Sequence, residues 1–221
     1  MYFYLQEYTL LCKYQFGFRH NSATSDAVES IYSNLLSNAD NGLYSCSIFL
    51  DLAKEFDTVN HNILFDKCYH NFGIRRIPLQ LFRGYLSNRK QFVMLENVQS
   101  GLVDISNGAP QGSVLGPQLF IMYINYLPKF SAFYTVLYAD DIYLGLSNKY
   151  LDYLQHLVNV ELIRLDNWLC SYKLSLNKSK STFMLANLWE IERNLSETCS
   201  FQIQNDSCFQ RTTCAKYLRC C

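Results

Sequence analysis

The stretch that most constrains the fold is Tyr138-Ala139-Asp140-Asp141, set between Phe133-Tyr134-Thr135-Val136-Leu137 and Ile142-Tyr143-Leu144-Gly145-Leu146. Runs rich in β-branched and aromatic residues on either side of a short polar connection predict two strands joined by a hairpin, with the acids at its tip. Asp tolerates turn geometry, so on these residues alone a plain turn is the first reading. Two neighbouring carboxylates repel unless they are solvated or bridged by a cation. In sites that handle phosphates the usual bridge is a divalent metal.

The remaining composition narrows the class without naming a function. With 221 residues, 49% of them hydrophobic and 15% aromatic, the chain can bury a sizeable core and is not a disordered tail. Nineteen basic and nineteen acidic side chains cancel, so net charge offers no support for nucleic-acid binding, and any such reading must come from local motifs. Cys12, Cys46, Cys68 and Cys170 stand singly among apolar residues and read as reduced, buried thiols. Cys199, Cys208, Cys214, Cys220 and Cys221 crowd the end of the sequence, yet no C-x-x-C pair and no nearby His accompanies them, so no zinc is expected. The first residues lack a basic start and a continuous apolar centre, and no run has the length of a membrane span. An intracellular, reducing location without a membrane partner is the expectation.

Taken in order, Gln15-Phe16-Gly17-Phe18-Arg19 precedes a helix carrying Ala27, Ile31 and Leu35, for which Ser22, Thr24 or Ser25 could supply the cap. Leu43 to Leu50 reads as a strand closed by Asp51. An acid ending a buried strand is costly unless paired, hydrogen-bonded or metal-bound, which makes Asp51 a functional candidate. A turn from Lys54 leads into a helix bearing Ile63, Leu64 and Cys68, stopped at Asn71-Phe72-Gly73, and His61 on it reads as structural. Pro78 begins another helix, with Leu79, Phe82 and Leu86 on one side. Two short strands, Lys90 to Leu95 and Gly101 to Ile105, turn around Asn97. Asn107 to Pro117 holds three Gly and two Pro, a loop whose backbone can approach a substrate closely. The helix after it is closed by Pro128. Leu151, Leu154, Leu157, Val158, Leu162, Leu165 and Leu169 give the strongest amphipathic pattern, a helix packed on a sheet. Strands are expected at Lys180 to Leu185, Phe201 to Ile203 and Lys216 to Leu218.

The order of these motifs resembles the reverse transcriptases of retrotransposons lacking long terminal repeats, the jockey-like elements of animals. Gln15 to Arg19 is similar to the finger-region signature, and Phe49-Leu50-Asp51-Leu52 with Phe56-Asp57-Thr58-Val59 to the first palm motif. Ala109 to Pro117 resembles the template-and-nucleotide loop, and Tyr138 to Asp141 the Y-x-D-D hairpin. Trp168-Leu169 with Lys173 to Asn177 and Lys180 resembles the fourth motif, and Lys216-Tyr217-Leu218 the primer-grip region. The resemblance implies an α+β fold: a polymerase palm, an antiparallel sheet with helices packed on one face. Residues 1–45 would be residual fingers, 46–186 the palm and 187–221 the start of the primer grip, with no thumb and no endonuclease.

It further implies RNA-directed DNA synthesis by two-metal nucleotidyl transfer, on an RNA template, a DNA primer and deoxynucleoside triphosphates. The ion would be magnesium, with manganese as the alternative. By resemblance Asp51 and Asp140 would hold both metals, Asp141 would support the hairpin and its charge, and the Leu52 carbonyl would add a ligand. Phe56 would lie under the sugar and exclude a 2′-hydroxyl, while Gln111 and Gly112 would lie against template and nucleotide. Lys180 would neutralise or protonate pyrophosphate, and Arg19, Pro110, Lys216 and Tyr217 would face template and primer. Glu55 departs from the pattern, which has a small residue there, and its charge would oppose a triphosphate. A truncated, inactive copy is therefore part of the expectation. A non-catalytic palm that binds RNA or a protein partner is the first alternative, and an RNA-dependent RNA polymerase palm the second, disfavoured by Phe56.

Overall fold

A computed structural model describes residues 1–110 and 112–186, together with the backbone of 202–203, 207–208 and 210–211. In chain order the elements are α1 (Tyr2–Glu7), α2 (Thr24–Asp40), β1 (Tyr44–Leu50), α3 (Glu55–Thr58), α4 (His61–His70), α5 (Arg76–Leu86), β2 (Arg89–Gln91), β3 (Met94–Leu95), β4 (Val98–Gln99) and β5 (Val103–Ile105). They continue with α6 (Gly116–Ile124), α7 (Leu127–Phe130), β6 (Tyr134–Tyr138), β7 (Asp141–Asn148), α8 (Leu151–Ser171), β8 (Thr182–Ala186), β9 (Gln202–Ile203), β10 (Ser207–Cys208) and β11 (Gln210–Arg211). The chain divides into two compact units. One comprises Met1–Leu11, Lys54–Asn125 and Tyr172–Leu174, the other Cys12–Ala53, Tyr126–Ser171 and Ser175–Cys221.

The second unit is built on a five-stranded sheet in the order β11-β8-β1-β7-β6. Its β8, β1, β7 and β6 pair antiparallel, and β11 adds a short parallel edge. β1 lies in the middle of the sheet, and Cys46, Ile48 and Leu50 are buried together with Ser45 and Ser47 on the alternate positions. A strand covered on both faces reads as a continuous apolar and small-residue run, which is why YSCSIFL shows no clean alternation. The buried Ser47 hydroxyl is satisfied by Tyr143, their oxygens 3.0 Å apart, and burial pushes the Tyr143 phenol up to about 12.

Helix α2 packs Ala27 and Ile31 onto the sheet face that carries Phe49, Val136 and Tyr143. Its cap differs from expectation. The Ala23 N–H donates to the Asp26 carboxylate at 2.7 Å and the Ala23 carbonyl accepts from Asp26 N, so an acid inside the first turn does what no Ser or Thr side chain does here. Helix α8 buries Leu154, Val158, Leu162, Leu165 and Leu169 at the predicted spacing and packs against β7 and β1. Glu161, also buried on α8, accepts from the Ala132 N–H and from Arg164. Pro128 does not close the preceding helix: α6 ends at Ile124, and Pro128 sits in the first turn of the short α7, where its missing N–H costs nothing. Of the four lone thiols, Cys46 and Cys68 are buried and Cys12 half-buried. Cys170 is exposed, contrary to the apolar reading of its surroundings.

In the first unit, α4 packs on α5 and α6. Asn60 caps α4 by accepting from Ile63 N at 3.2 Å. The predicted hairpin spans residues 89–105 but is interrupted: β2 pairs with β5 and β3 with β4, as two separate ladders. Its Val93, Met94, Leu95, Val98, Leu102 and Val103 are exposed. The α4 residue Lys67 is only 5% exposed, its ammonium group donating to the Tyr123 carbonyl and lying 3.7 Å from the Tyr172 ring centroid. Desolvation lowers its pKa from 10.5 to about 7.

That depression fixes a pH dependence. Below pH 7 both folded and unfolded chains carry the Lys67 charge and the folded state bears the full cost of burying it. Above pH 7 the folded lysine is neutral while the unfolded one stays charged up to 10.5, so folding stability rises with pH. Above pH 9 the rise is opposed by the Cys68 thiol, which burial pushes up from 9.0 to about 12. Urea midpoints should therefore climb between pH 7 and pH 9 and flatten beyond. Lys67→Met should abolish the climb, with a gain on the order of 1–3 kcal/mol at pH 6.5.

Candidate active site

Two antiparallel ladders place the acids. β1 pairs with β7 in a register that sets Phe49 opposite Tyr143 and Leu50 opposite Ile142, so Asp51 and Asp141 follow at adjoining ends of the two strands. Because side chains alternate, Asp51 shares a face with Phe49, and Asp141 with Tyr143. A cleft of about 350 Å³ opens on that face. Asp51, Asp141 and Lys180 line it together with apolar groups of α2 and the sheet, among them Ala27, Ile31 and Tyr138. Asp51 is 29% exposed and its Oδ2 lies 3.9 Å from Lys180 Nζ.

The backbone around Asp51 is held from the other side of β1. Its N–H donates to Ser181 Oγ at 3.2 Å, and its carbonyl accepts from Asn177 N at 2.8 Å. Leu52 forms an antiparallel bridge with Leu176, and Ala53 N donates to the Ser175 carbonyl. The segment 175–181 thus runs beside Asp51–Ala53 and carries Lys180 to the strand end.

Asp140 is placed differently. β6 and β7 end on the Tyr138–Asp141 pair, leaving Ala139 and Asp140 as a two-residue turn. Ala139 has φ 58, the left-handed value that a mirror-image hairpin turn requires at its first position. Asp140 is half-buried at the tip and is not among the residues lining the cleft. Gln15, to which the motif reading assigned no separate role, is buried beside this turn, its Oε1 accepting from Ala139 N at 3.2 Å. No propensity or periodicity marks it; only its place in the Gln15 to Arg19 motif did. Arg19 donates to the carbonyls of Cys12 and Gln15, so its guanidinium braces its own segment.

Other expected residues lie in the first unit. Phe56, half-buried, stacks obliquely on Phe120 with ring centroids 5.2 Å apart. The glycine-rich loop begins by binding that segment: Gly108 N donates to the Val59 carbonyl and Ala109 N to the Phe56 carbonyl, both at 2.7 Å. Gly108 has φ +92, and an added Cβ would stand 3.0 Å from Asp57 Cα, so both conformation and space demand glycine. His61 Nε2 lies 2.7 Å from the Gly108 carbonyl, in keeping with its structural reading. Pro110 accepts from the Ser113 hydroxyl, which in turn accepts from Gly116 N at the start of α6. Gly112 has φ +73. Gln111, Lys216 and Tyr217, and the strand expected around them, lie outside the described residues.

An antiparallel sheet with helices packed against it is a palm-like fold. The family model described as reverse transcriptase (RNA-dependent DNA polymerase) matches residues 2–218, and the chain belongs to that family. It is similar to the RNA-directed DNA polymerase from mobile element jockey of Drosophila melanogaster, 33% identical over 52% of this chain and 12% of that protein. Similarity extends to the probable RNA-directed DNA polymerase from transposon BS of the same organism, 29% identical over 80% of this chain and 20% of that protein. The chain thus spans a fifth or less of these relatives. Among solved structures, telomerase from Candida tropicalis in complex with a fragment of telomeric RNA superposes with a TM-score of 0.61 at 15% identity, over 80% of this chain and 31% of that one. The apo form truncated from its C-terminal domain gives 0.57 at 11% identity, over 86% of this chain and 38% of that one. At such identities the likeness is one of fold. Among the described residues no helix is long and apolar enough to cross a membrane.

Reverse transcriptases use divalent cations, and the donor set here fits one. The cleft offers carboxylate oxygens and no Cys or His. Among the described residues no group of three or more His, Cys, Asp or Glu is arranged to hold a metal.

The two supports of Asp51 should separate in stability measurements. Ser181→Ala removes a buried acceptor of the Asp51 N–H and a donor to the Asn177 carbonyl, and should cost about 1–2 kcal/mol in equilibrium unfolding. Lys180→Met loses only an ion pair whose lysine is 70% exposed, and should change stability by less than about 0.5 kcal/mol.

Proposed function

We propose that this chain carries the nucleotidyl-transfer centre of an RNA-directed DNA polymerase of a jockey-like mobile element, extending a DNA primer on an RNA template with deoxynucleoside triphosphates. The observation that carries the reading is the β1–β7 register, which sets Asp51 and Asp141 at adjoining strand ends in one cleft with Lys180. In this reading residues 46–186 act as palm, 1–45 belong to the fingers and 187–221 lead into the primer grip.

Asp51 and Asp140 would hold two magnesium ions, manganese substituting, with Asp141 adding charge at the hairpin and the Leu52 carbonyl a further oxygen. When bound, these ions stabilise the entering and leaving oxygens of an in-line displacement at phosphorus. The chain's own residues do the rest. Phe56 lies under the sugar and selects against a 2′-hydroxyl, and Gln111 and Gly112 contact template and nucleotide. Arg19, Pro110, Lys216 and Tyr217 position template and primer, Arg19 by bracing its segment. Lys180, whose ammonium lies 3.9 Å from Asp51, would supply a proton to an oxygen of the departing pyrophosphate. Glu55 places like charge where the family pattern has a small residue, and it favours a second reading, a palm that binds RNA without catalysis.

Primer extension by the full chain with an RNA template, deoxynucleotides and magnesium is expected, and Asp140→Ala should abolish it; incorporation indifferent to that change would sink the assignment. Glu55→Ala should lower the KM for deoxynucleotide several-fold with a smaller change in kcat. Template affinity without any metal-dependent incorporation would instead assign the chain to the binding module. Ribonucleotides incorporated as readily as deoxynucleotides would assign it to RNA synthesis.

A further inference from the structure

The hairpin turn that presents Asp140 is not self-sufficient. Ala139 holds a left-handed φ of 58, which an alanine adopts only at some cost, and its peptide groups are enclosed rather than hydrated. A strap from the start of the second unit supplies what the turn lacks. Leu137 N donates to the Tyr14 carbonyl and Phe16 N to the Leu137 carbonyl, each at 2.8 Å, so residues 14–16 run parallel to β6 along its free edge. This brings the Gln15 amide, 1% exposed, to the turn: Oε1 accepts from Ala139 N at 3.2 Å and from Gly17 N at 2.8 Å, and Nε2 reaches the Ala139 carbonyl at 3.4 Å. Gly17 then crosses the turn so closely that an added Cβ would stand 2.0 Å from Ala139 N. Arg19 ties the strap down through the Cys12 and Gln15 carbonyls.

We propose that Gln15 is a positioning residue: its amide, clamped on both peptide groups of Ala139 and kept in place by the close passage of Gly17, fixes the orientation in which Asp140 is offered to a cation. The link from Asp140 to a cation rests on the polymerase reading; the clamp on the turn does not.

The test compares the full chain with Gln15→Met, which keeps the length of the side chain without its hydrogen bonds, and with Gln15→Glu, which keeps the Oε1 acceptor. Amide hydrogen exchange and Mn²⁺ affinity, the latter by electron paramagnetic resonance, are the readouts. In Gln15→Met the Ala139 amide should exchange about tenfold faster, the equivalent of one buried hydrogen bond, and Mn²⁺ should bind about tenfold more weakly, while the Leu144 amide is unchanged. Gln15→Glu should recover the protection of the Ala139 amide. Unchanged exchange at Ala139, or equal acceleration at Leu144, overturns the clamp. Faster exchange with unaltered Mn²⁺ affinity overturns its connection to Asp140. If the wild-type chain binds no Mn²⁺ and extends no primer, the polymerase reading falls, and exchange at Ala139 still decides the clamp.

Discussion

A slip of one residue in the pairing of β1 with β7 would turn Asp51 to the opposite face of the sheet and separate it from Asp141. The whole site depends on that register. It is held by what lies on each face: Phe49 and Tyr143 pack edge to face at 5.4 Å, Ser47 meets the Tyr143 hydroxyl, and Ile48 opposes Leu144. A slipped strand would part Ser47 from the Tyr143 hydroxyl and leave both buried groups unpaired, at a cost of about 1–3 kcal/mol each. The carboxylates take no part in this selection. They occupy the ends of strands that the core has already aligned, so the same packing that stabilises the sheet brings the two acids together.

Buried polar groups mark where general hydrophobic packing gives way to specific pairing. Glu161 satisfies the Ala132 N–H at the entry to the β6 hairpin, Gln15 the turn at its other end, and Lys67 the Tyr123 carbonyl in the first unit. Each is fully enclosed, and each closes a backbone group that no helix or ladder reaches. Among them Lys67 is the cation, and its enclosure between tyrosine rings makes stability rise with pH above about 7.

Much of this was legible beforehand. The two flanking runs forced a hairpin at 133–146, the leucine spacing forced α8, and the acid after Phe49-Leu50 marked a strand end. Periodicity and turn chemistry suffice where a single element decides its own conformation. They fail where the deciding partner is distant. Nothing in Ser22 to Ser25 says that Asp26 will cap α2, since a hydroxyl would serve equally. Pro128 reads as a stop because proline ends one helix as readily as it opens another. Cys170 looks buried among leucines until α8 turns it outward. Gln15 was the least visible, because its partner lies 124 residues further along the chain. The resemblance grouped Asp51 with Asp140 and gave Asp141 a supporting place; that Asp141 is the acid adjoining Asp51 came only with the structure, since register between strands about ninety residues apart is invisible to periodicity.

The strap that reaches the turn has a temporal side as well. Synthesis releases Gln15 long before Ala139, and β6 and β7 can meet as a hairpin within microseconds of being complete. The early segment must nevertheless stay available until that moment, unpaired and without a strand to follow. Contacts of such separation close late, because the chain between them must be ordered before they yield anything. Asp140 therefore reaches its final attitude among the last events of folding, and a half-folded chain holds its acids loosely. The turn that carries Asp140 is complete only after the two distant parts of the chain have joined.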